Sequence, residues 1–187
     1  MTNRQLDSML AFHCSPTLAG IKSASLFTVK RKDSDGLLEL LSEYDRRLEQ
    51  AGVRLEVLCE CETHFLVLVY RSSLLWPELR NRRVRRFLEA YGYTDWTDLT
   101  AVLNRLKSRC RECCFPHEIG LFLSYPLDDV IGFIEHGGKN CKMCGYWKVY
   151  SDEEAARERF RKYTLCRDDF YRRVQSGVSL LALFHAA

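Results

Sequence analysis

Between Val53 and Tyr70 two different burial patterns meet across three polar residues, and this junction restricts the architecture more than any other feature of the chain. Val53, Leu55, Val57 and Cys59 alternate with Arg54, Glu56, Leu58 and Glu60, the period-two signature of a strand with one face in a core. Phe65 to Tyr70 is apolar throughout, as expected of a strand covered on both faces. The link Cys61-Glu62-Thr63 is too short for anything but an antiparallel connection. Segments 53–60 and 63–70 are therefore predicted to form a hairpin at the centre of a small sheet. Ser25-Leu-Phe-Thr-Val-Lys30 carries β-formers in alternation and supplies a third strand over 25–30. The tail over 178–184 is a candidate fourth strand returning to the sheet.

Helical periodicity fills most of the remainder. Leu37, Leu41, Tyr44 and Leu48 recur on one stripe before Gly52, which stands where a left-handed cap is wanted. From Pro77 onward Val84, Phe87, Leu88 and Tyr91 form a second stripe, and Leu99, Val102, Leu103 and Leu106 a third, extended by Cys110 and Cys113. Pro116 and Pro126 each suit the first turn of a short helix, and Gly137-Gly138 ends the second. Ser151-Asp-Glu-Glu154 has the form of a capping box, opening a long helix that places Ala156, Phe160, Tyr163, Phe170 and Val174 on one face before Gly177. The expected class is α+β: a small, mainly antiparallel sheet packed against about six helices in a single domain over 1–187. A chain of 187 residues, 47% hydrophobic and 28% charged, can bury such a core.

Met1-Thr-Asn-Arg-Gln-Leu-Asp7 lacks the basic and apolar regions of a secretory signal. No apolar run approaches the roughly 20 residues a bilayer span requires. A cytoplasmic location is expected, with the nine cysteines reduced rather than paired in disulfides. The net charge of +3, from 28 Lys and Arg against 25 Asp and Glu, is too balanced to demand a polyanionic partner.

Several constellations could carry chemistry, and each has a plainer explanation beside it. Cys110-x-x-Cys113 and Cys141-x-x-Cys144 are two pairs of the kind that together grip one tetrahedral metal such as zinc or iron. Against this, Cys110 and Cys113 already fit an apolar helix face, and 27 residues separate the pairs. Cys14, beside His13 and near Lys22 on a turn-rich segment, is placed where a lowered thiol pKa would be expected, although a buried inert thiol explains it too. Cys59 and Cys61 read as structural. His117 could act as a ligand or base, while Glu118 also complements a helix N-terminus.

Arg80-Asn-Arg-Arg-Val-Arg-Arg86 offers five arginines for phosphate, or simply a solvated helix face. The stretch from Glu118 to Ile134 has helix-turn-helix spacing, with Gly120 allowing close approach and Ser124-Tyr125 at the turn. Its second helix presents Leu127, Asp128, Asp129, Gly132 and Glu135, none of which suits a base edge. A packing motif is the better account, and nucleic acid is disfavoured as a partner. Gly145-Tyr-Trp-Lys-Val-Tyr150 concentrates aromatic rings around a lysine, either as a pocket wall or as an alternating edge strand.

Three segments, His13-Cys-Ser-Pro-Thr-Leu-Ala-Gly-Ile-Lys22, Phe115-Pro-His-Glu-Ile-Gly-Leu-Phe-Leu123 with Tyr125 to Ile134, and Gly145 to Tyr150, resemble an uncharacterised family of small cytoplasmic proteins from anaerobic bacteria, known only as a domain of unknown function. The family usually carries glycine where this chain has Ser124. The resemblance implies no established activity, but it groups Cys14, His117, Glu118, Trp147 and Lys148 in the characteristic segments. The leading expectation is an accessory protein of anaerobic metabolism that binds a metal, cofactor, small molecule or redox partner in a thiol-containing pocket. Cys14 would be the thiolate, His117 its partner and Glu118 the group orienting that histidine, with Lys22, Trp147 and Lys148 lining the pocket. The alternatives are a non-catalytic protein-interaction scaffold and a DNA-binding regulator.

Overall fold

The apolar run ending at Tyr70 becomes the middle strand of a three-stranded antiparallel sheet, which is why both of its faces are buried. In the computed structural model, which describes residues 1–112 and 115–185, the elements follow in chain order: α1 (Asn3–His13), α2 (Ser15–Leu18), β1 (Ala24–Lys30), α3 (Leu37–Glu49), β2 (Arg54–Glu60), β3 (His64–Tyr70), α4 (Ser72–Leu79), α5 (Arg82–Glu89), α6 (Leu99–Arg111), α7 (Ile119–Phe122), α8 (Leu127–Glu135), β4 (Met143–Cys144), β5 (Lys148–Val149), α9 (Glu153–Gln175) and α10 (Ala182–His185). The chain forms two compact units, Met1–Leu74 together with the chain from Tyr163 onward, and Leu75–Lys162.

In the first unit the sheet order is β1-β3-β2, with Phe27 opposite Val67 and Leu55 opposite Val69. Phe27, Val67, Val69 and Leu55 share one core with Leu6 and Leu10 of α1 and Leu41, Tyr44 and Leu48 of α3. The hairpin link falls at 61–63, as its polarity predicts. The alternation of β2 breaks between Val57 and Cys59, where Cys59 pairs with Leu66 although Val57 pairs with Val67. Leu58 is the extra residue of this bulge, and Cys59 consequently shares a face with Leu66 instead of Val57.

Two polar clamps hold the unit. The carboxylate of buried Asp7 accepts from the Tyr44 hydroxyl at 2.7 Å and from the Leu180 backbone N–H at 3.0 Å, joining α1, α3 and the tail. Arg71 donates from Nε to the Thr17 carbonyl at 2.7 Å, from Nη1 to the Ala51 carbonyl at 2.6 Å, and from Nη2 to the Leu18 carbonyl. These are helix C-terminal carbonyls, which a cation complements. Gly20 and Gly52, at φ of +75° and +73°, pass close to the same guanidinium.

The tail does not supply a fourth strand. The Leu180 N–H is taken by Asp7, and the N–H groups of Ala182, Leu183 and Phe184 close local turns onto the carbonyls of Ser179, Leu180 and Leu181. The segment buries Leu180 and Leu181 without offering its backbone to a sheet edge.

The second unit is built from the greater part of α4, α5 to α8, the β4–β5 hairpin and the beginning of α9. The α7–α8 pair is a packing motif, as its sequence implies: a Cβ at Gly120 would lie 2.9 Å from side-chain atoms of both Tyr125 and Val130. Ser124 at the turn adopts φ +58°, a left-handed conformation costing a non-glycine residue roughly 1–2 kcal/mol. At the start of α9 the cap is Asp152, whose carboxylate accepts the Ala155 N–H at 3.0 Å. The anticipated Ser151 cap is displaced because its hydroxyl is committed to Asp129 at 2.8 Å.

Gly132 meets the hairpin at close quarters, since an added Cβ would stand 2.6 Å from Cβ and Cγ of Tyr150. Gly132→Ala is therefore expected to lower stability by about 1–3 kcal/mol through overpacking, read as a drop in thermal midpoint. Gly137→Ala, where nothing lies within 4 Å, should carry only the smaller backbone cost of its positive φ.

Candidate functional site

Segments 125–134 and 145–151 of the second unit meet at Asp129. This residue lies in the first turn of α8 and is 2% exposed, and among the described residues the partners of its carboxylate are neutral. Its Oδ2 accepts the Trp147 Nε1–H at 2.7 Å. Oδ1 accepts the backbone N–H of Tyr150 at 2.8 Å, that of Ser151 at 2.7 Å and the Ser151 hydroxyl at 2.8 Å. Four neutral donors and the N-terminal end of α8 replace the water a buried carboxylate would otherwise need. Trp147 is fixed further by stacking on Tyr125 at 5.0 Å and by an edge contact with Phe160 at 4.5 Å. It is buried, and so is a wall of the packed interior.

Glu118 and His117 sit in the same unit with separate surroundings. Glu118 is 1% exposed, and its Oε1 accepts from Arg109 Nε at 2.8 Å and from the Tyr93 hydroxyl at 3.4 Å. Burial raises the Tyr93 pKa, with the Glu118 charge acting in the same direction. The hydrogen bond to Glu118 likewise raises that of Arg109. Exposed His117 rests its ring edge-on against Phe133 at 5.1 Å. Lys148 approaches that phenyl ring to 5.9 Å while donating to the Gly138 carbonyl at 2.6 Å. Phe133 thus brings His117 and Lys148 to one corner, and Glu118 is held by Arg109 and Tyr93.

Cys14 and Lys22 belong to the first unit. Cys14 is fully buried in its hydrophobic core with Leu6, Leu10 and Leu18, and desolvation pushes its thiol well up, the Lys22 ammonium acting in the opposite direction. Lys22 is itself 8% exposed and lies 5.8 Å from the Tyr163 ring. Of the cysteines expected to hold a metal, Cys110 and Cys141 are half-buried and Cys144 is exposed, while Cys113 lies outside the described residues. Among the described residues no group of three or more His, Cys, Asp or Glu side chains is arranged to hold a metal ion.

A different arrangement occupies the arginine-rich helix. Trp76 of α4 stacks on Trp96 at 6.2 Å. Arg80 lies over Trp76 at 5.5 Å and Arg85 over Trp96 at 5.1 Å. Trp96 is anchored by donating its Nε1–H to the Tyr93 carbonyl at 2.8 Å. The result is a layered arginine and tryptophan stack whose guanidiniums are exposed and already oriented. Arg85 also pairs with Glu89, and neighbouring Arg83 with Asp128.

Local reading of the sequence recognised the arginines but not the indoles beneath them, because Trp76 and Trp96 are 20 positions apart. Asp129 was equally hidden, since its partners lie 18 to 22 residues downstream. The available signal was an acidic pair directly after Pro126 at a helix start, with one of the two positions on the inward face.

Asp129→Asn keeps the shape but replaces one acceptor oxygen by a donor. It is expected to destabilise the second unit by about 2–4 kcal/mol, seen as a lowered thermal midpoint together with a changed Trp147 fluorescence environment.

No helix among the described residues is long and apolar enough to cross a membrane. No curated protein and no solved structure matches the chain. A family model does match residues 10–184, and its description is "Protein of unknown function (DUF3793)". Covering the hairpin, the Cys14 segment and the whole second unit, this match makes the chain a member of the DUF3793 family.

Proposed function

We propose that this protein is a non-catalytic interaction protein that docks an acidic segment of a protein partner on the stack formed by Arg80, Trp76, Trp96 and Arg85. The layered stack is the observation that carries the reading. Arginine and tryptophan are the residues most enriched where binding energy concentrates in protein interfaces. A guanidinium lying on an indole is pre-oriented for a planar carboxylate. The surplus of charge agrees with an acidic partner: the second unit holds 16 Lys and Arg against 13 Asp and Glu, so the whole net charge of +3 resides there.

A carboxylate partner is favoured over a nucleic acid. The indole rings already engage each other and the guanidiniums, which leaves bases little aromatic surface for stacking. Glu89 and Asp128 stand among the arginines and would repel phosphates. A Cys14-centred pocket for a metal, cofactor or redox partner has less to support it, because burial holds that thiol protonated.

The test is a titration of the protein with a glutamate-rich synthetic peptide and with an oligothymidylate of matched charge, followed by tryptophan fluorescence at low and moderate salt. The peptide is expected to bind and to weaken as salt is added. An Arg80→Glu, Arg85→Glu double variant should lose at least about tenfold in affinity. Tighter binding of the oligonucleotide, an unaffected double variant, or no peptide binding at low salt would each overturn the docking face.

A further inference from the structure

The β2–β3 link holds a cysteine and a histidine in a geometry that the docking face does not use. The hairpin returns the chain so that Cys61 and His64 face one another, with the Cys61 N–H donating to the His64 carbonyl at 3.0 Å. Cys61 Sγ lies 3.2 Å from His64 Nδ1 and 3.3 Å from Thr63 Oγ1, and Thr63 Oγ1 lies 2.8 Å from the same Nδ1. The chain leaving β1 contributes a third group: the Arg31 N–H donates to the Thr63 carbonyl at 2.9 Å. Its guanidinium lies over Phe65 at 4.9 Å and pairs with Glu60. A nucleophile, a proton acceptor, a hydroxyl donor and a cation thus come together from the β2–β3 link, the first residue of β3 and the segment after β1.

We propose that Cys61 is a reactive surface thiol, the site of reversible mixed-disulfide formation with low-molecular-weight disulfides, and that His64 is the base that activates it. His64 Nδ1 takes the proton of the Cys61 thiol. The thiolate attacks one sulfur of the disulfide, forming a new S–S bond to Cys61 as the old S–S bond breaks. The departing thiolate takes the proton back from His64. Cys61 and one half of the reagent end as the mixed disulfide, the other half leaves reduced as a thiol, and the disulfide reagent is the only oxidant required.

The charged surroundings agree. Hydrogen bonding from the Thr63 side chain, then from the backbone N–H groups of Thr63 and His64, lowers the Cys61 pKa, and the Arg31 charge adds to it. Glu60, next to Cys61 in sequence, is paired with Arg31, and Glu62 lies within the link itself. At two other cysteines the direction is opposite: burial pushes Cys14 well up and Cys166 up to about 11. Cys59, two residues before Cys61, is buried.

The experiment is to react the reduced, folded protein with dithiobis(nitrobenzoate) in limiting amount across a pH series and to map the labelled cysteine by peptide mass. One fast phase is expected, about tenfold faster at neutral pH than free cysteine, with its half-maximal rate below the ordinary thiol pKa. Cys61→Ser should abolish this phase, and Cys144→Ser, removing an exposed thiol, should leave it intact. His64→Asn should slow it several-fold and shift its pH profile upward. Cys144 is exposed and Cys61 and His64 are half-buried at the hairpin link, outside the core, so the variants are expected to fold, which the thermal midpoint checks. A fast phase that survives Cys61→Ser, that vanishes with Cys144→Ser, that ignores His64→Asn, or that is absent from the native protein would overturn the assignment.

Discussion

A buried carboxylate held by neutral donors organises the second unit. Moving Asp129 out of water would be prohibitive unless its lone pairs were met, and the fold meets them with donors from one short stretch, Trp147 to Ser151. That requirement fixes the hairpin against α8, decides where α9 can begin and places the Trp147 ring between Tyr125 and Phe160. Glycine at positions 132 and 145 belongs to the same arrangement, since a Cβ at either would run into Tyr150 or Phe160. Segments 125–134 and 145–150 are thus complementary in space.

The same logic applies to other polar residues that first attract attention as chemistry. Glu118 answers Arg109 and Tyr93, Asp7 answers Tyr44 and the Leu180 amide, and Arg71 answers three carbonyls. Each is a long-range polar contact that makes one packing unique. Groups satisfied in this way have little capacity left for a ligand. The surface, where arginines ride on indoles and a thiol faces an imidazole, is where recognition and reactivity have room.

Legibility in the sequence followed the range of the interactions. The hairpin, α3 and α6 were readable because period-two and period-3.6 patterns record burial within a few residues, and Leu37, Leu41, Tyr44 and Leu48 all fall in the core as spaced. The bulge at Leu58 left no mark in the pattern, so the face of Cys59 could not be foreseen. Ser151 satisfied the local rule for a cap, and a distant carboxylate outbid it. The partner of Cys61 is the residue that the turn itself delivers, and only the backbone path of the link shows that Cys61-x-x-His64 closes on itself. The Cys14 segment shows the converse: a cysteine, a histidine and a lysine in sequence suggest reactivity, but the packing of α1 and α2 seals the thiol in hydrocarbon.

The donors around Asp129 are of two kinds, and the difference bears on how this chain can tolerate change. The amides of residues 150 and 151 would be supplied by any amino acid except proline, so for those two bonds side-chain identity is immaterial. What they demand is that the main chain arrive at the right point while the Trp147 indole meets the same carboxylate. An insertion or deletion between Trp147 and Ser151 would shift the amides against the indole, so over that stretch the molecule is less forgiving of altered spacing than of altered letters, whereas the loop over 136–142 can change length.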